Sequence, residues 1–248
     1  MKIIGDIGNT DVKICLVDNK FKIKKKITIK TTEINQTNLK IKLKFLFKYK
    51  EKINNIVFSS VVPKIYKKIL FYFKSNLNKK TLEIKNLNLN KLIDIKVNKK
   101  QVGSDRLANS IGVLDNKNNY IIIDFGTATN FDVIIKNNYI GGILAPGVEL
   151  SLKNLIEKAS LIPKIDLAKP SNVIGKNTKS AIRSGFYHGY VGLIDNIIKL
   201  IIKQSDKSFK IILTGGLAHL FKNSIKGESE INKNLTINGI LKVASNLK

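Results

Sequence analysis

Two stretches of the chain carry the same order of apolar and polar positions. Residues 3–17 run Ile-Ile-Gly-Asp-Ile-Gly-Asn-Thr-Asp-Val-Lys-Ile-Cys-Leu-Val, and residues 121–135 run Ile-Ile-Ile-Asp-Phe-Gly-Thr-Ala-Thr-Asn-Phe-Asp-Val-Ile-Ile. In each, an apolar run ends in Asp-x-Gly with small hydroxyl or amide residues, and a second apolar run follows at once. That pattern predicts a strand, a tight turn and a returning strand. Asp6 aligns with Asp124, Gly8 with Gly126 and Asn9 with Thr127. One β-hairpin module is therefore expected in each of two halves, the acidic turns facing each other across a cleft.

The remaining periodicity fills in an α/β chain. Residues 21–31 alternate apolar and charged positions (Phe21, Ile23, Ile27, Ile29), which predicts a half-buried strand with lysine outward. Residues 39–49 fit both periods and lean towards helix through Leu39, Leu43, Leu46 and Phe47. Residues 53–60 read as a buried strand. Pro63 suits the first turn of a helix whose apolar face is Ile65, Ile69, Leu70 and Phe73. Residues 104–115, 148–158 and 177–203 read as helices, and 139–147 as a strand ending in a Pro-Gly turn. Residues 211–216, Ile-Ile-Leu-Thr-Gly-Gly, are a third strand running into glycine. Gly185, Gly189 and Gly192 lower the helix propensity of the long helix and suggest close packing against another backbone, for instance in a second subunit. The Asn- and Lys-rich residues 85–101 are the expected crossing between lobes. The division drawn is residues 1–115 for the N-terminal lobe with the first phosphate-binding hairpin, and 116–248 for the C-terminal lobe with the second hairpin and the dimer helix.

Charge changes this picture less than its size suggests. The formal net charge is +26, which raises the question of nucleic acid. Of the 44 basic residues only Arg106 and Arg183 are arginine, and the lysines are scattered through every element. Arginine is the residue suited to gripping phosphates and bases bidentately, so no specific nucleic-acid partner is expected. The hydrophobic fraction, 43%, is enough for two cores, and the single Cys15 excludes an internal disulfide. The N-terminus meets an acidic turn before any signal-peptide core could form, and no apolar run approaches a membrane span. A cytoplasmic protein without membrane association is expected.

Several chemistries fall away on the residues present. Gly175-Lys176-Asn177-Thr178 lacks the upstream glycine and the hydroxyl directly after lysine that a P-loop needs, and there is no GxGxxG. His188 and His219 stand far apart beside one cysteine, which argues against a transition-metal site and against a Ser-His-Asp arrangement. What survives is phosphate handling. Turn glycines let backbone N–H groups approach phosphates, and Asp6 and Asp124 offer carboxylates for Mg2+. A single Asp-Gly turn is more often chosen for its dihedrals alone, but two in register favour a ligand. Gly103-Ser104-Asp105-Arg106 opens a helix whose dipole would hold Asp105 ionised, ready to take a proton from a hydroxyl attacking a γ-phosphoryl group. Arg106 adds a planar fork for a carboxylate or phosphate. Alone, this tetrapeptide would pass for ordinary helix capping.

In order and spacing, Asp6-Ile7-Gly8-Asn9-Thr10, Gly103-Ser104-Asp105-Arg106, Asp124-Phe125-Gly126-Thr127-Ala128-Thr129, residues 141–147 (Gly-Gly-Ile-Leu-Ala-Pro-Gly), Gly175-Lys176-Asn177-Thr178 and Thr214-Gly215-Gly216 resemble type III pantothenate kinase over essentially the whole chain. The resemblance implies an actin-like ATPase fold of the acetate kinase and Hsp70 superfamily. Its two ribonuclease-H-like lobes would be mixed sheets flanked by helices, with ATP in the cleft between them. It also implies a homodimer that phosphorylates pantothenate at the first step of coenzyme A biosynthesis, using ATP, Mg2+ and a monovalent cation, K+ or NH4+. Carried over by position, Asp6, Ile7, Gly8, Asn9, Thr10, Asp11, Val12 and Lys13 would form the ATP phosphate loop, with Asp6 beside Mg2+. Thr127 would touch ATP, Asp124 would hold the monovalent cation, and Asp105 would be the base. Gly103, Ser104, Asp105 and Arg106 with Thr178 would bind pantothenate. One departure stands out: where the family has a Tyr-x-Asn-Pro pattern, this chain has Lys96-Val97-Asn98-Lys99. The competing reading is a catalytically silent regulatory relative similar to Bvg accessory factor.

Overall fold

β-branched residues dominate the apolar runs, and in the computed structural model, which describes residues 1–247, those runs are the central strands. The chain divides into two units, Met1–Leu114 with Asn234–Lys248, and Asp115–Lys233.

The first unit holds β1 (Lys2–Ile7), β2 (Asp11–Val17), β3 (Ile23–Lys30), α1 (Gln36–Lys42), β4 (Asn55–Ser60), α2 (Pro63–Leu77), β5 (Thr81–Glu83), β6 (Asp94–Ile95) and α3 (Ser104–Val113). Its sheet runs β3-β2-β1-β4-β5. β1 to β3 form an antiparallel meander, and β4 and β5 join parallel to β1. Ile3, Ile7, Phe58, Tyr72, Phe73 and Leu46 lie in one core between sheet and helices. Each such side chain contributes on the order of 2 kcal/mol on leaving water.

The second unit holds β7 (Tyr120–Phe125), β8 (Ala128–Ile135), β9 (Asn138–Pro146), α4 (Val148–Lys158), α5 (Thr178–Ser205), β10 (Lys210–Gly215), α6 (Ala218–Phe221) and β11 (Ser229–Ile231). Its strands run β9-β8-β7-β10-β11, again an antiparallel meander followed by two parallel strands. The duplicated hairpin is thus part of a duplicated sheet, and the fold is mixed α/β with two mixed sheets flanked by helices.

Three expectations need correction. Residues 39–49 are not one helix: α1 ends at Lys42, and Lys44–Lys52 follow as a 3-10 stretch that buries Leu46. β3 is mostly exposed, because only Ile29 of its apolar positions reaches the core. Residues 85–101 do not cross between lobes. They stay in the first unit as two 3-10 turns flanking β6, and the chain leaves that unit at Leu114.

The last residues had been assigned to the second lobe, yet α7 (Leu235–Ser245) packs on α3, β1 and β4. The reason is an apolar helix with a glycine at the crossing. A Cβ on Gly239 would lie 1.7 Å from the carbonyl oxygen of Ala108, so the two backbones touch. Thr236 donates to Asn109 at 2.8 Å, and the Lys242 ammonium donates to the carbonyls of Gly112 and Leu114, closing the C-terminus of α3.

Candidate active site

β1 delivers Asp6 to the mouth of the first hairpin. It pairs with Lys13 across the antiparallel ladder and with Ser59 across the parallel one. The turn closes through the Gly8 N–H donating to the Asp11 carbonyl at 3.0 Å. The end of β3 supports it from outside. The Thr31 hydroxyl donates to the Gly8 carbonyl at 2.7 Å, its N–H donates to the Thr10 carbonyl at 2.9 Å, and Lys30 pairs with Asp11 at 3.0 Å. Asn9 and Thr10 are left exposed at the tip, Gly8 is half-buried, and Ile7 and Val12 anchor both strands in the core. A rigid turn with an open tip can meet a ligand without reorganising.

Asp105 joins Asp6 in this unit. Gly103 is the N-cap of α3, Ser104 its buried first residue and Asp105 its second. A Cβ on Gly103 would meet an Asp105 carboxylate oxygen at 2.5 Å, so glycine leaves that carboxylate its place. The same oxygen accepts the Arg106 N–H at 2.8 Å.

The electrostatics set both carboxylates apart from surface ones. Burial raises Asp6 to about 6, and the nearby Asp105 raises it further, while Lys13 and the Ser59 hydroxyl pull it down. Burial also raises Asp105, against the opposing pull of the Arg106 N–H and guanidinium and of Lys85. The helix start was expected to keep Asp105 simply ionised; burial outweighs it. A carboxylate above its ordinary range is a better proton acceptor at neutral pH.

In the second unit the hairpin is one residue shorter. The Gly126 N–H donates to the Ala128 carbonyl at 3.1 Å, so Gly126 and Thr127 alone span the turn that takes Gly8, Asn9 and Thr10 in the first. Thr127 is exposed. Asp124 pairs with Asn130 and with Thr214 of β10. Gly215 follows with φ +86°, and a Cβ there would fall 2.6 Å from an Asp124 carboxylate oxygen. Only glycine fits that conformation and that approach. Thr178, the first residue of α5, is exposed beyond a capping box made by Asn177 and Ser180. The structure therefore brings Asp6, Lys13, Asp105 and Arg106 into one unit, and Asp124, Thr127 and Thr178 into the other.

Sequence reading missed Ser59 and Lys85. Neither stands in a motif, and only the parallel pairing of β1 with β4 and the packing of the Ile84–Asn86 turn on α3 bring them to the two aspartates. Segment 96–99, which departs from the family pattern, is held by other means. The Asn98 side chain accepts the Lys100 N–H at 3.0 Å, Lys99 donates to the Leu87 carbonyl, and Lys96 pairs with Asp94. Cys15 is buried with its thiol pushed up to about 11, and His219 touches the Gly216 carbonyl at 3.0 Å; both are structural.

The fit to a divalent cation was tested on the donors themselves. Among the described residues no group of three or more His, Cys, Asp or Glu gathers in a metal-holding arrangement. Asp6 is a buried carboxylate burdened by a second one, so a cation beside it would relieve both. One protein carboxylate, with waters and substrate phosphates as further ligands, is the ordinary way of holding Mg2+. The residues fit.

Comparison with known proteins agrees with this arrangement. A protein from Cytophaga hutchinsonii, crystallised as a candidate sugar kinase, shares the fold with a TM-score of 0.55 at 14% identity, over 99% of this chain and 100% of its own. A candidate Baf-family transcriptional activator from Campylobacter jejuni does so with a TM-score of 0.59 at 19% identity, over 99% and 100%. Those likenesses establish the actin-like ATPase and sugar kinase fold and nothing more specific. A type III pantothenate kinase of Pelagibacter ubique is 54% identical over 248 residues, 100% of both chains. The pattern of the Pan_kinase family, type III pantothenate kinase, matches residues 2–200. With identity at that level along the full length, this chain belongs to the type III pantothenate kinase family.

Proposed function

We propose that this chain transfers the γ-phosphoryl group of ATP to the primary hydroxyl of pantothenate, at the start of coenzyme A biosynthesis. The observation that carries the reading is the pairing of Asp6 and Asp105 in one unit, each raised by burial and the first also by the second. Phosphoryl transfer asks the protein mainly for positioning and for charge at the phosphates, and both are available here.

In this reading the hairpin from Asp6 to Lys13 faces the ATP phosphates, its turn N–H groups and the Lys13 ammonium offsetting their charge. Asp6 holds Mg2+ largely through water, and Thr127 contacts ATP. Asp124 holds the monovalent cation, K+ or NH4+. Gly103, Ser104, Arg106 and Thr178 orient pantothenate, and Asp105 accepts the hydroxyl proton as the oxygen attacks. Bound Mg2+ would supply charge neutralisation at the phosphate oxygens. The working form is a homodimer through α5, acting in the cytoplasm; no helix among the described residues is long and apolar enough to cross a membrane.

The test is ADP release dependent on pantothenate, with Mg2+ and K+ present. Asp105→Asn should lower kcat at least about a hundredfold while leaving the fold intact by circular dichroism. Wild type that turns over no pantothenate, or an Asn variant as active as wild type, would remove the assignment. The regulatory reading is not favoured, since Asp6, Asp105, Arg106 and Asp124 are all present.

A further inference from the structure

The segment from Lys85 to Gln101 carries several lysines, and their situations differ. Lys99 spends its ammonium on the Leu87 carbonyl, and Lys96 spends its own on Asp94. Lys91 and Lys100 are exposed. Lys85 is half-buried in the 3-10 turn Ile84–Asn86, which packs against α3. No hydrogen bond or ion pair ties its ammonium to an acceptor among the described residues. Its charge is felt instead by two carboxylates, Glu83 on its own strand end and Asp105 on α3.

Holding a lysine half out of water without a fixed acceptor is costly unless something arrives to take it. The turn is not free to swing away. Ile84 is buried, and the Leu87 N–H closes the turn on the Ile84 carbonyl at 3.0 Å. Beside it the hydroxyl of Ser104, 1% exposed, also lacks a hydrogen-bond partner. Two unspent donors, on α3 and on the turn packed against it, thus flank the carboxylate read as the base. Of the influences on Asp105, that of Lys85 is the smallest, as suits a charge removed from the carboxylate by the breadth of a small molecule.

We propose that Lys85 is a specificity-determining residue that binds the carboxylate of the acceptor, so that the site selects a hydroxy acid over its neutral amide. The inference rests on the kinase reading above and adds to it the group that reads the acid end of the substrate.

The experiment compares pantothenate with a neutral N-alkyl pantothenamide in wild type, Lys85→Met and Lys85→Arg, by steady-state kinetics and by calorimetric titration without ATP. Lys85→Met should raise KM for pantothenate roughly tenfold, with kcat and KM for ATP nearly unchanged, the mark of lost uniform binding. The neutral amide should bind wild type and Lys85→Met alike, and Lys85→Arg should keep most of the preference for the acid. Calorimetry should show the same loss of pantothenate affinity. A Lys85→Met protein that still separates acid from amide as wild type does, or one that loses kcat alone, overturns this inference and leaves the kinase standing. Wild type that neither phosphorylates nor binds pantothenate overturns both.

Discussion

Asp6 is the residue whose environment has the plainest measurable consequence. Its folded-state value of about 6 lies above the ordinary 3.8, so folding favours its protonated form. The stability it contributes is complete below the unfolded value and is lost as pH rises through about 6. At pH 8 the ionised group costs on the order of 3 kcal/mol in the ligand-free protein. Asp6→Asn should therefore be more stable than wild type to urea at pH 8, with the gain shrinking towards nothing near pH 4. Equal stability at both pH values would mean that Asp6 is well solvated. The position of Asp6 was legible from the repeat, whereas its protonation was not. It depends on Lys13, Ser59 and Asp105 arriving from three other elements.

At the scale of elements, the strands were read more accurately than their surroundings. Continuous β-branched runs such as Ile121-Ile122-Ile123 can only be buried strands, so β1, β4, β7 and β10 follow from their composition. The segment at 39–52 satisfied two periods at once, and packing chose a short helix and a 3-10 stretch around Leu46. The α3–α7 contact was not legible, because the glycine that permits it lies far from its partner in sequence. Gly239→Ala should lower Tm by many degrees, since the added methyl must displace the Ala108 carbonyl at a cost on the order of 3 kcal/mol. An unchanged melt would show that the two helices part easily.

At the scale of the molecule, the long helix α5 presents a surface that nothing in its own unit covers. Cβ atoms placed on Gly185, Gly189 or Gly192 would meet nothing within 4 Å. An apolar groove of about 480 Å³ runs between α4 and α5, lined by Leu155, Ile182, Phe186, Tyr190 and Leu193. A stripe of small residues with apolar flanks suits a second copy of the same helix, in keeping with the homodimer proposed above. Gly189→Glu should sediment as a monomer if this face joins the protomers, and a dimer that survives the change would move the interface elsewhere.

By itself the sequence determined the two hairpins, their Asp-x-Gly turns, the helix start at Gly103 and the family, because each is a local pattern whose chemistry is complete within a few residues. Only the tertiary structure decided that α7 returns to the first unit, that Ser59 and Lys85 stand near Asp6 and Asp105, and that those carboxylates are hard to ionise. Burial and through-space charge belong to residues distant in the chain, and no local pattern encodes them.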